Sequence, residues 1–402
     1  MAGVRICITK SICALGRSYR AEYYEEVKMT VLIRGAKIFL NFIFCFFKLF
    51  PVADKITFIS RQSDEVTLDI QLLADEFHLQ APDYQCVYLC KRIGSGYKNK
   101  VLYVCHLFRQ MYHIATSQIV ILDSYCMGVS LLKQRKSLVV IQMWHALGAL
   151  KKFGKSILDT GEGHGKKFSE AMNMHQHYDL IFSSSALCAP HFAEAFGYPL
   201  DHVQVASLPR VDVLTDLSQQ DKIRRNIYKQ YPILKERETI VYAPTFRKDS
   251  KYNKEAMEHL IQTVDLKRYN LVVKGHPLMQ MQEYEGISGI LCDKDFSTID
   301  MFTAADYIIV DYSAVLYEAA LMKKPLFFYT YDMEQYQTNR DFYLDYEQEM
   351  PGMISADAGE IMNAITAQRY NLDEVAAFAD RYIEIQENCT KDMADKILKV
   401  RK

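Results

Sequence analysis

A chain of 402 residues is long enough for two to three domains and for large buried cores. Half of it is hydrophobic, so it folds, and a formal net charge of −1 argues against a globally basic nucleic-acid binder. Its 10 cysteines are scattered, with no paired CxxC motifs to hold structural zinc, and read as free thiols of a reducing cytosol.

Residues 1–28 show no clear period and no signal-peptide pattern. They read as a leader, disordered or untranslated, with Met29 a second candidate start. Val31–Phe50, VLIRGAKIFLNFIFCFFKLF, is long enough to span a bilayer, yet Arg34, Lys37, Asn41 and Lys48 fall within one narrow helical sector. The expectation for residues 29–50 is therefore an amphipathic helix in the membrane interface. Its cations would meet anionic headgroups and its phenylalanines would enter the acyl boundary.

From Lys55 onward strands and helices alternate. KITFIS, CVYLC, QIVILD, LVVIQM and DLIFSSS read as strands, with helices over Val66–His78, Val101–Thr116 and Ala186–Phe196. The alternation breaks near Ser207–Leu214 at Pro209, and a second set begins with TIVYAPTFR, NLVVKGHP and DYIIVDYS. The pattern predicts an α/β chain with two parallel-sheet domains, residues 51–210 and 211–370, and a helix over 371–402. His175 and His177 read as surface residues on opposite sides of a helix. GEGHGKK (Gly161–Lys167) lacks phosphate-loop spacing and reads as a loop.

Ligands of open α/β sheets bind outside the carboxyl ends of the strands. LVVIQM ends in Trp144-His145, TIVY runs into Thr245 and Arg247, NLVV into Lys274 and His276, and DYIIV into Asp311 and Ser313. Ser313 reads as the N-cap of a helix over Ala314–Met322, with its hydroxyl and the helix N–H groups open to a phosphate. Glu318 lies where a carboxylate reaches a ribose hydroxyl, and Arg210 sits in the interdomain break. These groups together suit an anionic ligand. No acidic pair has metal spacing, so no metal and no cofactor are expected.

Several motifs carry a resemblance: MWHALGALKKFG (Met143–Gly154), SLPRVD, YAPTFR, KGHP, DYSAVLYEAALMKKP, FFYTYDMEQY and RDFYLDYEQEMPG. Together, from about Lys55 to Gly352, they resemble the CDP-glycerol glycerophosphotransferase family of teichoic-acid synthesis, its primase-like members above all. The resemblance implies a GT-B fold, two Rossmann-like domains facing a cleft, on the cytoplasmic face of the membrane. The first domain would take an undecaprenyl-diphosphate-linked saccharide acceptor and the second CDP-glycerol, or CDP-ribitol. His145 matches the likely general base, and His276 the group that stabilises the diphosphate. Thr245, Arg247, Ser313, Asp311 and Arg210 match positions around the phosphates. The sequence departs from the family pattern at Ser207, Ala314 and Asp341, where glycine, serine and glycine are usual. A GT-B glycosyltransferase and a non-catalytic nucleotide-binding scaffold are the alternatives.

Overall fold

The computed structural model describes residues 31–94, 96–245, 247, 250–275 and 282–400. The leader and His276 lie outside them. Two six-stranded sheets form from short runs rich in Val, Ile and Leu; the central strands are buried along almost their whole length, as strands covered on both faces must be, while the edge strands are partly exposed. The first holds β1 (Lys55–Ser60), β2 (Gln85–Cys90), β3 (Ile119–Leu122), β4 (Val139–Gln142), β5 (Leu180–Ser183) and β6 (Val203–Val205), in the order β2-β1-β3-β4-β5-β6. The second holds β7 (Glu238–Ala243), β8 (Tyr269–Val273), β9 (Ile290–Cys292), β10 (Tyr307–Val310), β11 (Leu326–Tyr329) and β12 (Met353–Ser355), in the order β9-β8-β7-β10-β11-β12. Neighbouring strands pair in parallel throughout. The order reverses between β1 and β3 in one sheet and between β7 and β10 in the other. Such switch points open a crevice at the strand carboxyl ends.

Several contacts tie the two domains together. Arg210 donates to Asp69 at the start of helix Leu68–Gln80, through Nε at 2.9 Å and through Nη2, and to Glu318 of helix Leu316–Leu321, through Nη1 at 2.9 Å. Burial works against this cation, but the two carboxylates outweigh it and hold the guanidinium above its ordinary range. Next, Leu150–Lys152 lies antiparallel to Asp341–Tyr343, with Lys152 N–H donating to the Asp341 carbonyl at 2.9 Å and Tyr343 N–H to the Leu150 carbonyl at 3.0 Å. Asp341, the departure from the family glycine, pairs with Lys152 at 2.5 Å. Finally, a Cβ on Gly148 would lie 2.2 Å from the Tyr317 ring, so only glycine lets this loop of the first domain reach the second.

The structure corrects several expectations. Residues 371–402 hold two helices, Leu372–Tyr382 and Cys389–Lys399. Between them Glu384 N–H donates to the Ser184 carbonyl at 2.7 Å, and Asp212 accepts from the N–H groups of Cys389 and Thr390 at 2.7 and 2.9 Å. The second helix returns to pack on Leu68–Gln80 in the first domain. His175 is buried rather than superficial, in left-handed backbone at φ 57°, with Nδ1 3.1 Å from the Tyr178 hydroxyl. Ser313 does not cap its helix, which starts only at Leu316 after a turn closed by Leu316 N–H on the Ser313 carbonyl.

Residues 31–47 are helical, as expected, but Asn41 and Lys48 of the polar sector face the protein, while Arg34 is exposed. Asn41 donates to the Leu131 carbonyl at 3.2 Å and accepts from Lys133 N–H at 2.8 Å, Lys48 Nζ donates to the Lys133 carbonyl at 3.1 Å, and Phe44 is fully buried. Ile38, Phe39, Phe42, Phe46 and Leu49 point outward, Phe42 with 78% of its surface exposed. Among the described residues no helix is long and apolar enough to cross a membrane.

Removing Arg210 leaves two buried carboxylates without their cation, a change that typically costs about 3–5 kcal/mol. Arg210→Ala should lower the urea midpoint accordingly, and adding Asp69→Asn and Glu318→Gln should recover part of the loss. A midpoint unchanged by Arg210→Ala would show that this ion triad does not hold the domains.

Candidate active site

The chain leaves β4 through a sharp turn. Trp144 occupies left-handed backbone at φ 62°, which costs a non-glycine residue about 1–2 kcal/mol. Two contacts hold it there: Trp144 N–H donates to Gln142 Oε1 at 3.0 Å, and the indole stacks on Phe153 at 4.8 Å and 17°. The turn carries His145 back across the end of β3, where Nδ1 lies 2.7 Å from the Asp123 carbonyl oxygen. A carbonyl only accepts, so Nδ1 carries the proton and Nε2 keeps its lone pair. Burial pushes this imidazole down to about 4, and the Arg210 charge adds to the effect while the Asp123 carbonyl and Asp69 oppose it.

His145 opens on a cavity of about 180 Å³ lined also by Gln62, Thr67, Asp69, Asp123, Trp144 and Arg210. Gln62 follows β1 and Asp123 follows β3, so the cavity lies at the switch point of the first sheet. Arg210 forms part of its wall: besides its two carboxylates, Nη2 reaches the His145 carbonyl at 3.3 Å.

The second sheet places Thr245, Arg247, Asp311 and Ser313 together at its own switch point. Asp311 is fully buried and accepts from Thr245 N–H at 2.9 Å, Thr245 Oγ1 at 2.6 Å and Arg247 Nη1 at 2.5 Å. Arg247 also forks onto Asp332, through Nε at 2.8 Å and Nη2 at 2.9 Å, and donates to the Thr245 carbonyl at 2.6 Å. Its guanidinium is enclosed by the rings of Tyr312, Tyr331 and Tyr336 at 5.2, 4.9 and 5.5 Å. From the first domain Lys151 Nζ reaches the Tyr336 hydroxyl at 3.0 Å; burial, with Arg340 next in effect, lowers this ammonium to about 8.

Most of the polar residues expected around a ligand are thus engaged with the protein. Lys274 donates to Asp293 Oδ2 and to the Phe296 carbonyl, both at 2.5 Å. Glu318 is turned inward on Arg210, its carboxyl raised by burial and pulled back by that cation. Ser313 is half-buried, and its hydroxyl bonds no described side chain. Among the described residues no group of three or more His, Cys, Asp or Glu side chains could hold a metal ion. Sequence reasoning passed over Asp69, Asp332 and Asp123. The last was legible, because it ends the strand QIVILD just as His145 follows LVVIQM; the other two are brought in by tertiary contacts alone.

Residues 42–399 match the family described as CDP-Glycerol:Poly(glycerophosphate) glycerophosphotransferase. A teichoic acid ribitol-phosphate primase of Bacillus spizizenii is 30% identical over 349 residues, 84% of this chain and 89% of that protein. A teichoic acid glycerol-phosphate primase of Bacillus subtilis is 30% identical over 69% of this chain and 72% of its own length. Against a poly(ribitol-phosphate) polymerase of Bacillus spizizenii the match spans 56% of the larger protein. The solved wall teichoic acid polymerase TagF shares the fold, with a TM-score of 0.71 and 19% identity over 92% of this chain and 96% of that one. A UDP-N-acetylglucosamine 2-epimerase of Listeria monocytogenes follows at 0.55 and 13% over 86% and 95%.

The hydrogen bond to Asp123 predicts the His145 tautomer. Imidazole ¹⁵N NMR should show a neutral ring protonated on Nδ1 and a midpoint near 4, well below the ordinary value of about 6.5. A midpoint above 6 would mean that the ring is neither dry nor held by that carbonyl.

Proposed function

The chain belongs to the CDP-glycerol:poly(glycerophosphate) glycerophosphotransferase family, and we propose that it moves a polyol phosphate from a CDP-activated donor to a hydroxyl of an undecaprenyl-diphosphate-linked saccharide. The observation that carries this reading is the neutral His145, its Nε2 lone pair free at a cavity on the domain cleft. The acceptor oxygen attacks the phosphorus that bears the polyol. That oxygen's proton passes to Nε2, and the bond from phosphorus to the bridging oxygen breaks, releasing CMP. The pKa of this imidazole, about 4, is low for a base at neutral pH. An anionic donor entering the cleft favours the imidazolium and raises it.

The second domain takes the nucleotide in this reading. Ser313, the N–H groups of its turn and His276 hold the phosphates. Thr245, Arg247, Lys274 and Asp311 build the floor from which they project, and Arg210 and Glu318 join the floor to the acceptor side. Glycerol is the polyol first implied by the family description. Ribitol is the second reading, favoured by the ribitol-phosphate primase that matches over most of both chains.

The acceptor is lipid-linked in this reading, and the enzyme sits peripherally on the cytoplasmic face of the membrane. The support is the outward row Ile38, Phe39, Phe42, Phe46 and Leu49. It continues through Phe50, edge-on to Tyr112 at 5.7 Å, toward the exposed Val101, Leu102 and Val104 of helix Tyr97–Thr116. Burying one such side chain is worth about 1.5–3 kcal/mol.

Offered a lipid-linked acceptor with CDP-glycerol, CDP-ribitol and UDP-sugars in competition, the protein should transfer a polyol phosphate, read by mass spectrometry. His145→Ala should lower the single-turnover rate about 10²–10⁴-fold and leave donor affinity nearly unchanged. Transfer of a sugar instead, or near-normal turnover without the imidazole, overturns the reading.

Phe39→Ser, Phe42→Ser and Phe46→Ser combined should lower affinity for anionic vesicles at least about tenfold while sparing the buried Phe44. Equal vesicle binding by the triple variant would place the membrane contact elsewhere.

A further inference from the structure

Asp123 ends β3 at the switch point of the first sheet and lines the cavity that holds His145. Only 2% of it is exposed, and neither carboxylate oxygen has a hydrogen-bond partner in the structure. The Ser60 and Ser124 hydroxyls lie close enough to favour the charged form but make no hydrogen bond to it. Each of these hydroxyls also accepts a backbone N–H, from Gln62 and Arg61 at 3.1 and 3.2 Å. The cation that would ordinarily balance a buried carboxylate, Arg210, is taken by Asp69 and Glu318. Burial pushes the Asp123 carboxyl up to about 6. A buried carboxylate left this way destabilises the fold, and evolution retains such groups where a ligand completes them.

We propose that Asp123 is the acceptor-recognition residue of this site: its carboxylate accepts a hydrogen bond from a second hydroxyl of the acceptor, on the carbon next to the one that attacks. This rests on the acceptor entering the His145 cavity. The backbone carbonyl of Asp123 already positions His145 Nδ1, so one residue faces both tasks. In this arrangement the attacking hydroxyl meets Nε2 and its neighbour meets the carboxylate, since both residues line the same cavity. The ligand class is therefore a vicinal diol, the end of a polyol or a sugar ring, rather than an isolated alcohol. A site built to bond a hydroxyl rejects the analogue that lacks it, because the buried acceptor is then left unpaired.

The test uses the full chain and two soluble acceptor analogues, a glycerol phosphate ending in a free vicinal diol and its deoxy counterpart with the attacking hydroxyl alone. Binding is read by calorimetry and transfer by kcat and KM, so the two are separable. Wild type should bind the diol about 10–100-fold better, the span that a hydrogen bond to a charged group supports. Asp123→Asn should raise the acceptor KM, cut this preference to within about threefold and leave the donor KM unchanged. It should also melt no lower than wild type, because it removes an unpaired buried charge; a carboxylate that serves the fold would do the opposite. If Asp123→Asn does not fold, Asp123→Ser decides the affinity comparison, and a preference retained there overturns the proposal. Equal binding of both analogues by wild type overturns it, as does a preference retained by Asp123→Asn. So does a loss of kcat alone, which would make Asp123 a base. A wild type that binds the diol selectively but transfers nothing from any CDP-polyol overturns the proposed function and leaves the recognition standing.

Discussion

Arg210 is the group on which the arrangement of this molecule depends. It is the first residue of the helix that follows the last strand of one sheet, and it is held by a carboxylate from each domain. Burying three charges is tolerable only when each is matched, and a planar guanidinium can meet two carboxylates at once where an ammonium cannot. The consequence is geometric. Arg210 joins the start of helix Leu68–Gln80 to helix Leu316–Leu321, and its Nη2 also reaches the backbone carbonyl of His145.

The same logic governs the second domain. Arg247, Lys274, Thr245 and Asp311 are residue types suited to phosphate, yet their donors and acceptors meet one another. A cleft that binds an anion must keep its own loops from moving, and buried ion pairs with aromatic walls hold them without disorder. Arg247, closed in by three tyrosines and forked onto Asp332, is such a brace. Paired in this way, Arg247 and Lys274 serve as braces, while Ser313 bonds no described side chain.

The N-terminal helix shows how one pattern supports opposite orientations. Its four polar residues make a narrow stripe, and in an isolated interfacial helix that stripe would face water and headgroups. Here the stripe docks on the Leu131–Lys133 segment, because Asn41 finds both a backbone donor and a backbone acceptor there. The phenylalanines are left outward. An exposed apolar row of this size is costly in water and calls for a nonpolar neighbour.

The sequence by itself determined the α/β alternation, the break between two sheets near Pro209, and the set of strand-end turns that hold His145, Thr245, Lys274 and Asp311. Period and punctuation are local properties, readable without knowing what packs against what. It also carried the family, through an ordered set of short motifs. Tertiary structure alone decided which charged groups answer each other, since Arg210 meets Asp69 across 141 positions and Arg247 meets Asp332 across 85. It decided too that the long C-terminal helical stretch breaks before Asn388, where Asp212 caps the second piece. Asp123 shows the boundary most plainly. Its place at the end of a strand was legible in QIVILD, but its isolation from every cation was not, because that depends on where Arg210 finds its partners once the domains have closed on each other.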